Sequence, residues 1–125
     1  LELLVNVTLH SDLVVNVAST MCFDFALFDK PGVFINYNQD VTSEKEPYYN
    51  LTRGYQFPHF KVVHDLQPVF WLNSKAEIND TFLNAIANKD KHSDARKKWK
   101  EQMLDGQPNG ASERIVHVLS RLSAG

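Results

Sequence analysis

The 125-residue chain has one cysteine, five glycines, five prolines and little net charge. The single cysteine, Cys22, excludes an intrachain disulfide and fits a reducing compartment. The formal net charge of −2 removes the general electrostatic case for a nucleic-acid partner. No apolar run approaches the roughly 18 residues that a membrane-spanning helix needs. These shortages argue against a disulfide-rich secreted domain and predict a cytoplasmic location.

Metal-ligand patterns are also scarce. The sequence has no Asp-x-Asp pair, and four of its histidines lack ligand spacing: His10, His64, His92 and His117. We therefore expect neither a metal nor a resident cofactor. Cys22 lies between Met21 and Phe23, which favours a small buried side chain over a nucleophile.

Apolar periodicity divides the chain into alternating strands and helices. The predicted strands are Leu13–Val17, Val33–Tyr37 and Val69–Leu72. Helices are predicted over residues 1–10, 20–29 and 93–104, after a capping box at Ser74-Lys75-Ala76-Glu77, and after the Gly106–Gly110 turn. The helix side chains expected in the core are Met21, Phe25, Phe28, Ile78, Phe82, Leu83, Ile86, Trp99 and Met103. This order predicts an α/β fold, a partial Rossmann-like three-layer unit with about three parallel strands flanked by helices.

Residues 38–67 show little periodicity and are rich in aromatic side chains, so we expect a long loop there. The chain thus divides into a strand-turn-helix-strand unit (residues 1–37), the aromatic loop (38–67), and a last strand with C-terminal helices (68–125). Because Leu1 already lies within a predicted element, we expect the chain to be a piece of a longer protein.

Ala18, Ser19 and Thr20 form a small-residue turn between an apolar strand and a helix. Such a turn brings main-chain N–H groups and hydroxyls to the carboxyl end of a strand, where α/β proteins bind phosphate. A plain helix cap by Ser19 or Thr20 is the alternative interpretation, and the two interpretations are compatible with each other. The sequence does not separate the two hydroxyls.

The run Ser11-Asp12, Ala18-Ser19-Thr20, Phe23-Asp24 and Asp29-Lys30-Pro31, followed by an apolar strand, resembles a known domain. It is similar to the donor-binding C-terminal domain of GT-B glycosyltransferases, nearest the bacterial surface-polysaccharide enzymes and the CDP-glycerol glycerophosphotransferase group. The similarity continues through Tyr49-x-x-x-Arg53-Gly54-Tyr55 and ends near Ile115. This resemblance implies the C-terminal half of a GT-B fold, with acceptor site and catalytic base mostly in an N-terminal domain outside this chain.

The resemblance also implies roles for individual residues. Ala18, Ser19 and Thr20 match positions that contact the phosphates of a nucleotide-sugar or CDP-glycerol-like donor. Asp24 matches a position near the donor sugar or ribose, although an acidic residue there also complements the helix dipole. Asp29-Lys30-Pro31 is interpreted as a helix terminator with a solvent-facing pair.

Four further residues are candidates near the same cleft. Tyr37 and Asn38 follow a strand and are candidate polar contacts to the donor. Arg53 is a candidate partner of a diphosphate, and His59 is a candidate acid–base group; packing over the sheet edge is the alternative for both.

The predicted function is donor binding in cell-surface polysaccharide synthesis, and peripheral membrane association of the full-length protein is a further expectation. A non-catalytic module that binds a phosphorylated metabolite, or an epimerase-like enzyme, is the alternative.

Overall fold

Three short parallel strands form the sheet at the centre of the computed structural model. The structure describes residues 2–38, 51–105 and 109–123. The strands are β1 (Val14–Asn16), β2 (Gly32–Ile35) and β3 (Phe70–Leu72), in the order β1-β2-β3. Val15 pairs with Val33, and Phe34 pairs with Trp71. Because all the strands are parallel, their carboxyl ends lie at one edge of the sheet.

Helices cover both faces of this sheet, so the predicted α/β class with a short parallel sheet is confirmed. The helices in the described residues are α1 (Glu2–His10), α2 (Met21–Leu27), α3 (Leu51–Gly54), α4 (Pro58–Leu66), α5 (Ile78–Ala87), α6 (Ser93–Met103) and α7 (Ala111–Ser123). Two 3₁₀ turns, Lys75–Glu77 and Lys89–His92, precede α5 and α6.

The two faces of the sheet carry separate apolar layers. On one face, α2, α4 and α6 pack over Val14, Phe34 and Val69, and Trp99 of α6 is 2% exposed. On the other face, α5 packs through Ala85 against Val33, Phe70 and Leu72. Full burial of a side chain as large as phenylalanine contributes about 1.5–3 kcal/mol. These layers therefore hold the strands, and hence their carboxyl ends, in a fixed arrangement.

The prediction of a long loop over residues 38–67 is wrong where α3 (Leu51–Gly54) and α4 (Pro58–Leu66) form. Pro58 occupies the first turn of α4, and Gln67 ends that helix in a left-handed conformation with its N–H bonded to the Val63 carbonyl. The aromatic residues that obscured the periodicity are partly core residues, since Tyr55 and Phe60 are each 3% exposed. Residues 39–50 of the predicted loop lie outside the described residues.

Several predicted core side chains are exposed instead. The helices contact the sheet along a narrow stripe only, such as Cys22, Phe25 and Ala26 on the two-turn helix α2. Side chains beside that stripe reach solvent because no further layer among the described residues covers them. The exposed ones are Met21, Phe28, Leu83, Ile86 and Met103. Helix α7 also has an exposed apolar face, which includes Ile115, Val116, Leu119 and Leu122.

The predicted capping box at Ser74 takes another form. The Ser74 hydroxyl donates to the Glu77 carboxylate at 2.9 Å and makes no capping bond to the backbone. The intervening residues form a 3₁₀ turn, in which the Glu77 N–H donates to the Ser74 carbonyl at 3.2 Å. The main chain therefore supplies the bond that the serine side chain supplies in a capping box.

The end of α2 is closed by Asp29 in a left-handed conformation with φ of 54°. The Lys30 and Asp29 N–H groups donate to the Phe25 and Ala26 carbonyls, which is the pattern of a Schellman motif. Glycine usually occupies this position. Here the Asp29 carboxylate accepts hydrogen bonds from Ser93 at 2.6 Å and Arg96 at 2.8 Å.

Asp29-Lys30-Pro31 therefore terminates the helix as predicted, but Asp29 and Lys30 do not form a solvent-facing pair. Arg96 is 1% exposed and also donates to the Asp29 and Lys89 carbonyls. Lys30 donates to the carbonyls of Leu9 and Ser11, which fixes the end of α1. Asp29 and Lys30 therefore each connect the end of α2 to a distant part of the chain.

Candidate functional site

The turn formed by Ala18, Ser19 and Thr20 lies at the carboxyl end of β1. Ala18 has a φ of 41°, in the left-handed region that alanine rarely adopts. The main chain reverses there and enters α2 at Met21. In open parallel sheets, ligands bind beyond the carboxyl ends of the strands. The structure thus places the predicted phosphate turn at the edge where a ligand has access.

The two hydroxyls of this turn differ. The Ser19 hydroxyl accepts a hydrogen bond from the Met21 N–H at 3.3 Å, so it caps the first N–H of α2 from the position before the N-cap residue, Thr20. Thr20 has helical backbone angles of −63° and −14°, and its side chain makes no capping bond. Thr20 is also exposed. Ser19 therefore has a structural bond as an acceptor, and Thr20 is the more exposed of the two hydroxyls.

Tyr55 joins this turn to the end of β2. Its hydroxyl donates to the Ile35 carbonyl at 2.6 Å, and the backbone of Ala18 hydrogen-bonds to the same hydroxyl. Burial raises the pKa of Tyr55 to about 12, although the bond from Ala18 acts in the opposite direction. The phenol therefore stays protonated at neutral pH and holds two main-chain segments together.

Asn16, the last residue of β1, lies beneath the turn against Cys22. The polar atoms of its amide are buried and have no nitrogen or oxygen partner within the described residues. Burial raises the pKa of the Cys22 thiol to about 12, and contact with the Asn16 amide lowers it only in part. Cys22 is 1% exposed. These facts agree with the prediction of a buried packing residue instead of a nucleophile.

Polar side chains also follow β2 and β3. Asn36 donates to the Asn73 side chain at 2.9 Å, and both amides are exposed. The Asn38 side chain accepts from the Leu51 N–H at 2.9 Å, so it holds the beginning of α3. Tyr37 is half-buried and packs with the apolar layer beneath α5. Both predicted residues are thus near the strand ends, but each has a structural contact.

The remaining candidates lie at different places. Asp24 is half-buried in the first turn of α2, where a carboxylate also complements the helix dipole. Arg53 is exposed at the end of α3, two residues before Tyr55. His59 is exposed in the first turn of α4, where its ring stacks on Phe57 at 6.0 Å with an angle of 5°. The His59 ring also lies 4.3 Å from that of Phe60, so its aromatic contacts within the described residues are with Phe57 and Phe60.

Sequence reasoning missed the residues that organise this edge. Each strand is followed by or ends in asparagine, at Asn16, Asn36 and Asn73, and this repetition is visible in the sequence. Tyr55 was visible only as one aromatic residue among many. Its contact with Ala18 spans 37 residues of chain, and no local pattern marks a contact of that kind.

No three side chains of histidine, cysteine, aspartate or glutamate within residues 2–38, 51–105 and 109–123 converge as metal ligands would. In the same residues, no helix has both the length and the apolar character that a membrane crossing needs.

The fold and the edge described above define a class: an α/β protein with an open parallel sheet and a strand-turn-helix unit at its carboxyl edge. The model of one family, described as CDP-glycerol:poly(glycerophosphate) glycerophosphotransferase, matches residues 2–121. The chain belongs to this family. It is therefore, at the level of the family, a transferase that uses a nucleotide-activated donor, as the resemblance predicted.

Comparison with curated proteins gave no match. Comparison with solved structures gave none either.

Proposed function

We propose that this chain binds the CDP-glycerol-type donor of a glycerophosphotransferase, with the donor diphosphate at the Ala18-Ser19-Thr20 turn. The observation that carries the proposal is the family match over residues 2–121. The position of the turn at the carboxyl end of β1 supports the choice of site. The alternative functions, a metabolite-binding module and an epimerase, have no observation in their favour.

The turn offers a hydroxyl group to the diphosphate. The Thr20 hydroxyl is exposed and is the proposed hydrogen-bond donor to the diphosphate. The N–H groups of Met21, Cys22 and Phe23 already bond to the Ser19 hydroxyl, the Ser19 carbonyl and the Thr20 carbonyl, and α2 has only seven residues, so the proposal uses neither the helix N–H groups nor a long macrodipole. Arg53, at the end of α3, is the proposed cationic partner of the same diphosphate. Asp24, Tyr37 and Asn38 are proposed to face the remainder of the donor.

The proposed reaction transfers glycerophosphate to an acceptor hydroxyl. The acceptor oxygen attacks the distal phosphorus of the donor, and the bond from that phosphorus to the bridging oxygen breaks. Cytidine monophosphate leaves with the electron pair, and a base takes the acceptor proton. Hydrogen bonds aimed at the leaving phosphate stabilise the charge that develops there. His59 is a candidate acid–base group in this chain, and we propose that the principal base lies elsewhere in the protein.

The finer assignment follows from the same resemblance. We propose that the full-length protein has the GT-B architecture, with the acceptor held by an N-terminal domain. We further propose that it acts in the cytoplasm of a bacterium, at the inner face of the membrane, where surface polymers are built.

The test uses the full-length protein and separates the two hydroxyls. Thr20→Val keeps the side-chain shape and removes the hydroxyl, and we expect CDP-glycerol to bind about tenfold more weakly, because a hydrogen bond to a charged group contributes about 1.5–3 kcal/mol. Ser19→Ala should lower stability by about 1 kcal/mol through the lost cap, with a smaller effect on the donor. Ser112→Ala, on the exposed helix α7, is the matched control.

Isothermal titration calorimetry with CDP-glycerol measures the affinity for the donor. Thermal shifts with CDP, UDP and GDP test which nucleobase the site prefers. We expect CDP to stabilise most. Wild-type donor affinity in the Ser19→Ala, Thr20→Val double variant would show that the phosphate site lies elsewhere.

A further inference from the structure

We propose that Gly54 and Tyr55 are positioning residues that hold the Ala18 turn in its ligand-binding conformation. The inference rests on the proposed function, because it concerns the turn assigned to the donor diphosphate. It assigns a role to Gly54 and Tyr55, which follow Arg53 at the corner between α3 and α4 and contact the turn without themselves being proposed to bind the phosphates.

The first observation is the bonding of the Tyr55 hydroxyl. It bonds both to the Ile35 carbonyl, at 2.6 Å, and to the backbone of Ala18. Tyr55 is 3% exposed, and its ring lies 5.3 Å from that of Phe34 and 5.2 Å from that of Trp71. A ring held on several sides places its hydroxyl accurately. The turn after β1 is therefore fixed relative to the end of β2.

The second observation is the close approach of Gly54 to Ala18. A Cβ added at Gly54 would lie 2.7 Å from the Ala18 Cβ, which is closer than two carbon atoms can be without a shift. The Ala18 Cβ is attached directly to the main chain, so relief requires movement of the backbone. Glycine at position 54 is thus required by contact with the turn.

The third observation is the strain at Ala18. A non-glycine residue in a left-handed conformation persists only where its surroundings enforce it. Here φ is 41°, and Gly54 and Tyr55 are the neighbours that contact this residue. The beginning of α3 is held as well, because Asn38 accepts from the Leu51 N–H at 2.9 Å. The corner is therefore anchored to the same edge of the sheet as the turn that it supports.

A compensating pair of substitutions tests this inference in the full-length protein. Gly54→Ala should raise the KM for CDP-glycerol about tenfold or more, because a displacement of the order of 1 Å at a binding group is costly. Ala18→Gly removes the atom that the new methyl group strikes, and glycine accepts a positive φ without strain. The Ala18→Gly, Gly54→Ala double variant should therefore return KM to within about threefold of the Ala18→Gly value.

Tyr55→Phe provides a second, independent measurement if Gly54→Ala does not fold. It removes both hydrogen bonds and keeps the ring, so we expect a raised KM with a smaller change in kcat. Unfolding midpoints of every variant are measured in parallel, since a merely structural role would lower stability without changing the affinity of the folded protein.

The outcomes separate this inference from the proposed function. A raised KM in Gly54→Ala that recovers in the double variant supports the positioning role. Wild-type KM in both Gly54→Ala and Tyr55→Phe, with Thr20→Val impaired, overturns the positioning role and leaves the proposed function intact. Wild-type donor binding in all of these variants, Thr20→Val included, overturns both.

Discussion

The buried guanidinium of Arg96 predicts an unequal response when either partner of its ion pair is changed. Arg96 is 1% exposed, whereas the Asp29 side chain is 45% exposed. Removal of the carboxylate charge leaves a buried cation without a counter-charge. Removal of the cation leaves a carboxylate that water can reach. We therefore expect Asp29→Asn to destabilise the protein more than Arg96→Met.

The magnitude follows from two charge-assisted hydrogen bonds, from Arg96 at 2.8 Å and from Ser93 at 2.6 Å. Bonds to charged groups contribute about 1.5–3 kcal/mol and neutral ones about 0.5–1.5, so loss of the charge costs about 1 kcal/mol at each bond. The buried cation left without a counter-charge increases this free-energy cost, and the partial exposure of Asp29 to solvent reduces it. We expect Asp29→Asn to lower the free energy of unfolding by about 2–3 kcal/mol. Asparagine tolerates the left-handed backbone, so conformational strain does not contribute.

Arg96→Met keeps an apolar side chain of similar length in the buried space, and we expect a loss of roughly 1 kcal/mol. The double variant should be no less stable than Arg96→Met alone, which gives a coupling of about 2 kcal/mol. Urea unfolding measures each midpoint, with the slope checked for constancy. Asp94→Asn, in the exposed pair with Lys97, is the control and should change little. Equal losses in the two single variants, or losses that simply add, would refute the reasoning.

Three further outcomes follow from ionisable groups. Partial burial raises the pKa of Asp29, but hydrogen bonds from Ser93 and Arg96 lower it more, so the net pKa is below its ordinary value. The stability that Asp29 contributes should therefore be present above about pH 4 and be lost as pH falls through the lowered pKa. Urea midpoints should fall less steeply with acid in Asp29→Asn than in the wild type. Burial raises the pKa of Cys22 to about 12, so iodoacetamide at pH 8 should modify it slowly in the folded protein and rapidly in urea; equal rates would contradict its burial. Burial raises the pKa of Tyr55 to about 12, against about 10 in the unfolded chain, so the free energy of unfolding should fall as pH rises between those values. An equal fall in the stability of the Tyr55→Phe variant would contradict the assignment.

The strand and helix order was predictable because it depends on local patterns. Apolar runs such as Leu13–Val17 mark buried strands, and Lys30-Pro31-Gly32 ends a helix whatever lies around it. The structure shortens β1 to Val14–Asn16 and α2 to Met21–Leu27 but keeps their order. The strand-turn-helix unit that carries the family resemblance was predictable for the same reason, because it too is a pattern of residues adjacent in the sequence.

Helices α3 and α4 were not predictable from periodicity, because the aromatic side chains in and between them face in several directions. Tyr55 and Phe60 enter the core, whereas Phe57 is 57% exposed and stacks on His59. Helix α3 is a single turn and depends on its tertiary contacts. Exposed apolar residues such as Phe28 were misplaced for a related reason: periodicity identifies an apolar face, but only neighbouring elements determine how much of it is covered.

By itself, the sequence determined the parallel α/β order, the small-residue turn after β1 and membership of a glycerophosphotransferase family. The tertiary structure decided which hydroxyl of that turn is used as a cap and which is exposed, and it placed Gly54 and Tyr55 against Ala18. It also paired Asp29 with Arg96 across 67 residues of chain. Local patterns reflect the repeat of a helix or strand over a few residues, whereas these contacts arise only when distant segments pack at the same edge or face of the sheet.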